Sequence, residues 1–306
     1  MKAESERSFF SPGKLLLTSE YAVLDGALAL AVPTQLGQEL SVVEMEDGQS
    51  MISWNAFHQN QPWLSAKINY QHWEITEANI PDSARFVLKV LKQVQKSSAL
   101  KFQGSTSYEI QTNLQFPADF GLGSSSTLMT NLSDWAEIDA FELNASCLGG
   151  SGYDIAVAQA KSAIFYRYLK GERKTEKLHF QPEFRSELIF IHLNRKQDSR
   201  KGIEMYRSKP KSPDLIAQLS ALTHEIFLTG DLEKFSEKME DHECRLSEFL
   251  GMATVKEKYF ENAPVFVKSL GAWGGDFVLS RKFSGFREYF SGRDFSTIFE
   301  WDELIL

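Results

Sequence analysis

The chain has only two cysteines, Cys147 and Cys244, among 306 residues. Two thiols cannot build the disulfide framework of a small secreted scaffold, and their spacing fits no zinc motif. Both read as buried thiols. Histidine is scarce too, with six in all and no pair at metal-binding spacing. His224, His242, Met239 and Met252 read as packing or surface residues. No apolar run nears the roughly 20 residues of a bilayer span, and the start MKAESERSFF lacks the apolar core of a signal peptide. Positive charge is also short: the formal net charge is −8. An acidic chain disfavours a nucleic-acid surface, although a bound nucleotide needs only a local basic patch. The expectation is a cytoplasmic enzyme with neither a nucleic-acid nor a membrane partner.

The length suffices for one large or two medium domains. Apolar runs from Phe9 to Val43 suggest strand, helix and strand. Alternation through Ile52, Trp54 and Ala56, a polar turn at 58–62, then Trp63 to Trp73 predicts a hairpin or meander. Pro81-Asp82-Ser83 reads as a helix start, followed by Phe86, Val87, Val90, Leu91 and Val94 at helical spacing. Tyr108 to Leu114 alternates again, and 128–143 is helical in composition with Asp139 as a candidate break. A second half starts near Pro182 with the apolar strand 188–193. Two helices follow, ending at Gly230 and Gly251, where a left-handed residue is wanted. Strand, glycine turn and strand fill 265–279. The pattern is α+β in two lobes.

Three segments carry the chemistry. The first is Ser11-Pro12-Gly13-Lys14 with Glu20 close behind, and the second is Gly121-Leu122-Gly123-Ser124-Ser125-Ser126. The third, Lys268 to Asp276, reads KSLGAWGGD. The middle segment joins a strand to a helix, so backbone N–H groups at the helix start can face phosphate oxygens. It lacks the Lys-Ser/Thr ending of a Walker loop and the third glycine of a dinucleotide fingerprint. Its three hydroxyls can add donors, or an oxygen for Mg²⁺. Gly149 to Ala156, GGSGYDIA, places Asp154 at the start of another helix. There an aspartate either caps the helix or orients and deprotonates an attacking hydroxyl, with Lys14 stabilising charge.

With those residues in view, the chain resembles the GHMP kinase superfamily. SPGKLLLTSEYAVLDG is similar to its first motif, PADFGLGSSSTL to its phosphate loop, and KSLGAWGGDF to its third glycine-rich turn. GSGYDIA matches a bacterial GYDIA subgroup and is similar to a phosphomevalonate kinase segment. The resemblance runs from Phe9 to the end of the chain. It implies a two-lobed fold, with a lobe like ribosomal protein S5 domain 2 at 1–183 and a ferredoxin-like lobe at 184–306. It implies ATP and Mg²⁺ as cofactors, Lys14 and Asp154 as the catalytic pair, and 121–126 wrapping the triphosphate. Ser125 faces the metal in this picture. Glu20 orders the site, and Gly271, Ala272, Gly274 and Gly275 support the loop and the substrate side.

The chain departs from that pattern in two places. The interval from Ser126 to Asp154 is 154 − 126 = 28 residues, shorter than the stretch carrying the metal-binding glutamate of mevalonate kinases. Glu142 and Glu137 are the candidates that remain. In the third motif Leu270 and Trp273 replace smaller residues, and Trp273 either reshapes the pocket or packs under the loop. Arg195, Lys196, Arg200 and Lys201 lie within seven positions. They form either a solvated loop or a site for the anionic end of an acceptor, with Arg195, Lys196 and Arg200 as its candidates. The leading expectation is a kinase of mevalonate or phosphomevalonate. Competing expectations are a sugar or homoserine kinase, a decarboxylase on the same fold, and a non-catalytic nucleotide-binding regulator. A homodimer is among the oligomeric states left open.

Overall fold

A computed structural model describes residues 6–195 and 199–306, with Ser199 and Arg200 described by backbone alone. Strand β1 (Arg7–Leu16) is followed by a 3-10 turn at Ala22–Asp25 and the long strand β2 (Ala29–Met45). A meander of β3 (Met51–His58), β4 (Gln61–Asn69) and β5 (Glu74–Ala78) leads into α1 (Pro81–Ser97). Next come β6 (Ser107–Leu114), α2 (Ser124–Ala136), α3 (Ala140–Cys147) and α4 (Tyr153–Ala160). The hairpin β7 (Ala163–Leu169) and β8 (Glu172–Leu178) precedes β9 (Leu188–His192). Helices α5 (Ser199–Arg207), α6 (Pro213–Leu228), α7 (Leu232–Leu250) and α8 (Val255–Tyr259) follow. The chain closes with β10 (Val267–Leu270), β11 (Phe277–Arg281), α9 (Phe286–Ser291), β12 (Ile298–Glu300) and α10 (Trp301–Leu304).

These elements form two compact units. The first comprises the chain up to Gly13, Leu36–Ala118 and Gly123–Gln159. The second comprises Lys14–Gln35, Asp119–Leu122 and Ala160–Leu306.

In the first unit the strand order is β5-β4-β3-β6-β2. Only the β3–β6 neighbours run parallel, because a meander and α1 intervene between them, as a parallel crossover requires. The helical spacing in α1 is honoured: Ala84, Val87, Val90, Leu91 and Val94 are all buried. Pro81 sits at its start, where a missing N–H costs nothing. The tryptophans of the meander have separate fates. Trp54 is core and Trp73 lies at the core's edge, while Trp63 is exposed and stacked on His58. Asp139 does break the helical run. Glu137 closes α2 at φ 55°, and Asp139 caps α3 by accepting from the Glu142 N–H at 2.8 Å.

In the second unit β7 pairs with β8, and Ala29–Ala31 of β2 pair antiparallel with Ile164–Tyr166. Strand β8 has no apolar alternation, being exposed along nearly its whole length, which is why periodicity does not reveal it. A separate antiparallel sheet has the order β10-β11-β9-β12, with every residue of β9 and β10 buried. Helices α6 and α7 bury Leu215, Leu219, Leu246 and Leu250 in one cluster with Tyr21, Tyr206 and Trp273. Gly251 ends α7 at φ 66°, as its position requires. Gly230 does not play that part. Helix α6 already ends at Leu228 with Thr229 extended, and Asp231 caps the next helix directly. Cys147 is buried as expected, but Cys244 lies on the exposed face of α7.

Two leucines of the first unit test this division of core and surface. Leu91→Ala empties a fully buried site and is expected to cost about 2–5 kcal/mol. Leu100→Ala, at a residue 61% exposed, is expected to stay within about 0.5 kcal/mol by urea denaturation.

Candidate active site

The glycine–serine segment spans the two units, so each part is described in its own unit. In the first, Gly123 adopts φ 89° and introduces α2, and no side chain caps that helix. The leading N–H groups of a helix have no partner within it, and the helix dipole adds partial positive charge there. The hydroxyls divide their work. Ser126 is buried and donates to the Gly123 carbonyl at 2.8 Å, which locks the turn. Thr127 donates to the Ser124 carbonyl at 2.9 Å and to Gln38 at 2.8 Å. Ser125, by contrast, is exposed.

Asp154 is the second residue of α4, behind Gly149, Gly150 and Gly152, all at positive φ. It is half-buried, and its Oδ1 accepts from the Ile155 N–H at 3.1 Å. Glu142 lies exposed in the first turn of α3. Among the described residues, no three His, Cys, Asp or Glu side chains are grouped to hold a metal.

In the second unit, Lys14 Nζ donates to the Gly121 carbonyl at 2.8 Å, and its backbone N–H donates to Leu122 at 3.0 Å. The first segment therefore holds the start of the second. Gly121 takes φ 69°, a backbone state that suits glycine. The third segment is a turn between β10 and β11. The Gly274 N–H donates to Ser269 Oγ at 3.0 Å, and the Trp273 N–H donates to the Tyr21 hydroxyl at 2.8 Å. Trp273 is buried in the cluster around Tyr21 and Tyr206, so it packs under the turn. Ala272 and Gly275 are buried, Gly271 and Gly274 half-buried. Arg195 is exposed, with Nη1 donating to the Tyr259 hydroxyl at 3.2 Å and the guanidinium 5.2 Å from that ring's centre. Lys196 and the Arg200 side chain lie outside the described residues.

The sequence did not reveal what lies beneath these turns. Glu20 and Lys268 are both fully buried and meet at 2.5 Å, and Lys268 Nζ also donates to the Ser269 carbonyl at 2.9 Å. Glu243 adds a carboxylate 3.7 Å from the same ammonium. His242 accepts from the Ser19 N–H through Nε2 at 2.8 Å, so the neutral ring carries its proton on Nδ1. That atom stands 3.9 Å from Glu20 Oε2. Burial drives the titrations here: it raises Glu20 against the pull of Lys268, and it holds His242 well below 6.5, helped by Lys268 and Arg245. Burial also pushes Glu243 up to about 7. Ser19 and Tyr21 take φ 64° and 57°, strained for non-glycine residues, and this cluster is what holds them. Gly202 belongs to the same region: a Cβ there would lie 2.2 Å from the Tyr21 hydroxyl oxygen.

No protein-family model matches the sequence, and no curated protein matches it significantly. Solved structures do match the fold. The L. major mevalonate kinase in complex with R-mevalonate superposes with a TM-score of 0.70 at 16% identity, over 98% of this chain and 96% of that one. The Streptococcus pneumoniae phosphomevalonate kinase in complex with phosphomevalonate and AMPPNP gives 0.67 at 15%, over 96% and 99%. Lactococcus lactis galactokinase complexed with galactose gives 0.67 at 12%, over 97% and 93%. The chain has the two-lobed α+β fold of the GHMP kinases.

Two predictions concern the buried charges. Lys268→Met leaves Glu20 and Glu243 without their cation and is expected to cost about 3–5 kcal/mol in chemical denaturation. Adding Glu20→Gln should recover part of the loss. Glu243 binds its proton more tightly when folded, so its contribution to stability falls as pH rises from 4.5 to about 7 and is lost above that. Glu243→Gln removes this slope. The melting temperature of the wild type should therefore lose ground to the variant across that window, and parallel curves would refute the titration.

Proposed function

We propose that this chain is an ATP-dependent small-molecule kinase, transferring the γ-phosphoryl group to a hydroxyl or phosphate of a small anionic acceptor. Mevalonate and phosphomevalonate are the leading acceptors. The observation that carries the reading is the start of α2 behind Gly123, which holds φ 89°: no side chain caps it, so its leading N–H groups are donors for a polyphosphate. The shared fold supports it, since three enzymes acting on small alcohols or phosphates are built this way.

ATP, when bound, supplies the transferable phosphoryl group, and the chain's work is positioning and charge stabilisation. Residues 121–126 hold the phosphates. Lys14, fixed at the Gly121 carbonyl, brings positive charge to them. Asp154 orients the acceptor hydroxyl and takes its proton. Glu20 acts from the interior, through Lys268, and the Gly271–Gly275 turn supports the site. Mg²⁺ takes oxygen ligands, keeps waters and needs only one or two carboxylates beside phosphate oxygens. Ser125 fits that set as an exposed hydroxyl, and Glu142 is the acid singled out by sequence. Arg195, Lys196 and Arg200 are assigned to the acceptor's anionic end, and Arg195 is exposed as that role requires.

A second reading, a sugar or homoserine kinase, is favoured by the galactokinase likeness. One assay separates the two. ADP release is measured with Mg²⁺ and ATP against mevalonate, phosphomevalonate, diphosphomevalonate, homoserine and galactose. Turnover is expected with one of the first two. Asp154→Asn should lower kcat by about 10²–10⁴-fold while ATP affinity holds. Undiminished turnover in that variant would remove Asp154 from the chemistry, and ATP binding without any turnover would favour a non-catalytic regulator.

A further inference from the structure

Phe120 stands immediately before Gly121, and none of the roles above uses it. Residues 115–123 lie between β6 and α2 and belong to neither. Such a segment has no ladder of backbone bonds to hold it, and glycines within it add conformational entropy. Gly121 at φ 69° and Gly123 at φ 89° are two of them. Phe120 supplies an anchor. Its ring centre lies 4.4 Å from that of His192, 5.5 Å from Phe277 and 6.2 Å from Phe299. These partners come from β9, β11 and β12, with β9 hydrogen-bonded to both of the others and Phe277 paired directly with His192. They also pack on one another, at 5.0 Å for His192 and Phe277 and 6.1 Å for Phe277 and Phe299. Phe120, its three ring partners, Gly121 and Lys14 all belong to the second unit.

His192 is the odd member of this cage. It is 2% exposed, its Nδ1 faces Asn194 at 3.3 Å, and its Nε2 has no hydrogen-bond partner among the described residues. A buried, unpaired nitrogen weakens a fold, so what the imidazole contributes here is its face, set against Phe120 at a tilt of 36°. We propose that Phe120 is a positioning residue for nucleotide binding. Clamped on the smaller sheet, it fixes the backbone at Gly121 before a ligand arrives, so the carbonyl on which Lys14 rests is already in place. Preorganisation of this kind strengthens binding by removing an ordering cost, with no new contact to the ligand. The assignment rests on the nucleotide-binding reading above. The rival role is simple packing, in which the ring stabilises the unit and leaves binding unaffected.

Calorimetry with AMPPNP and Mg²⁺ on the wild type, Phe120→Ala and His192→Phe tests the assignment, together with hydrogen–deuterium exchange in the absence of ligand. Phe120→Ala should weaken AMPPNP about tenfold, the equivalent of ordering roughly one residue of backbone. Exchange in residues 119–123 should quicken in that variant, while β7 and β10 keep the wild-type rate. His192→Phe retains a ring against Phe120 and should hold the affinity within about twofold. Phe120→Leu, which keeps the bulk, takes over if the alanine variant misfolds by circular dichroism, with the same expected direction. A lower melting temperature with unchanged affinity in Phe120→Ala would overturn the proposal in favour of packing. Weaker binding with unaltered exchange would overturn it too. So would an equal loss in His192→Phe, because the ring contact would then not be what matters. Failure of the wild type to bind AMPPNP would bring down the kinase reading, and this assignment with it.

Discussion

The ion pair between Lys268 and Glu20, closed to solvent on every side, is the constraint on which the functional turns of the second unit depend. Two charges leave water at a high desolvation cost, which their attraction offsets only when the geometry is good. In return the pair fixes register between distant parts of the chain. Glu20 follows the first segment and Lys268 opens the third, while α7 contributes His242 and Glu243. From this anchor outward, Ser269 and Tyr21 each hold one backbone N–H of the third turn. Glycine-rich turns carry a large conformational entropy and few side-chain contacts of their own, so their order must come from what lies beneath them. The strained backbone at Ser19 and Tyr21 is affordable for the same reason: the surrounding bonds overdetermine it.

The proposed chemistry is left to backbone and to a few side chains. Ser126 and Thr127 use their hydroxyls on the turn itself, so the proposed anion site at α2 is chiefly a matter of N–H groups and a left-handed glycine. Lys14 also serves first as a strut, bound to the Gly121 carbonyl. On the kinase reading, such a site would recognise phosphate and be indifferent to the rest of the ligand. On that reading discrimination among acceptors would fall to other side chains, in keeping with a fold shared by mevalonate, phosphomevalonate and galactose kinases.

Much of this was legible in the sequence, for identifiable reasons. Helix α1 announced itself through Pro81 and a regular apolar face, and α2 through its glycine–serine entry. Asp139 was readable as a break because aspartate caps helices. The misses have physical causes as well. Strand β8 is polar on both faces, and Gly230 was read as a cap where Thr229 suffices. The Cys244 side chain falls on the outer face of α7, which composition alone does not show. Lys268, His242 and Glu243 gave no signal, since a charged residue in sequence looks solvated until a partner many residues away is brought to it. Phe120 stood inside a quoted motif, but the rings around it are a property of the fold.

Hydrogen–deuterium exchange with and without AMPPNP and Mg²⁺ tests whether the N–H groups opening α2 receive a nucleotide's phosphates. Exchange is expected to slow in peptides covering residues 121–127, with strands β4 and β5 unchanged. Nucleotide binding that leaves 121–127 unprotected would rule out this phosphate site.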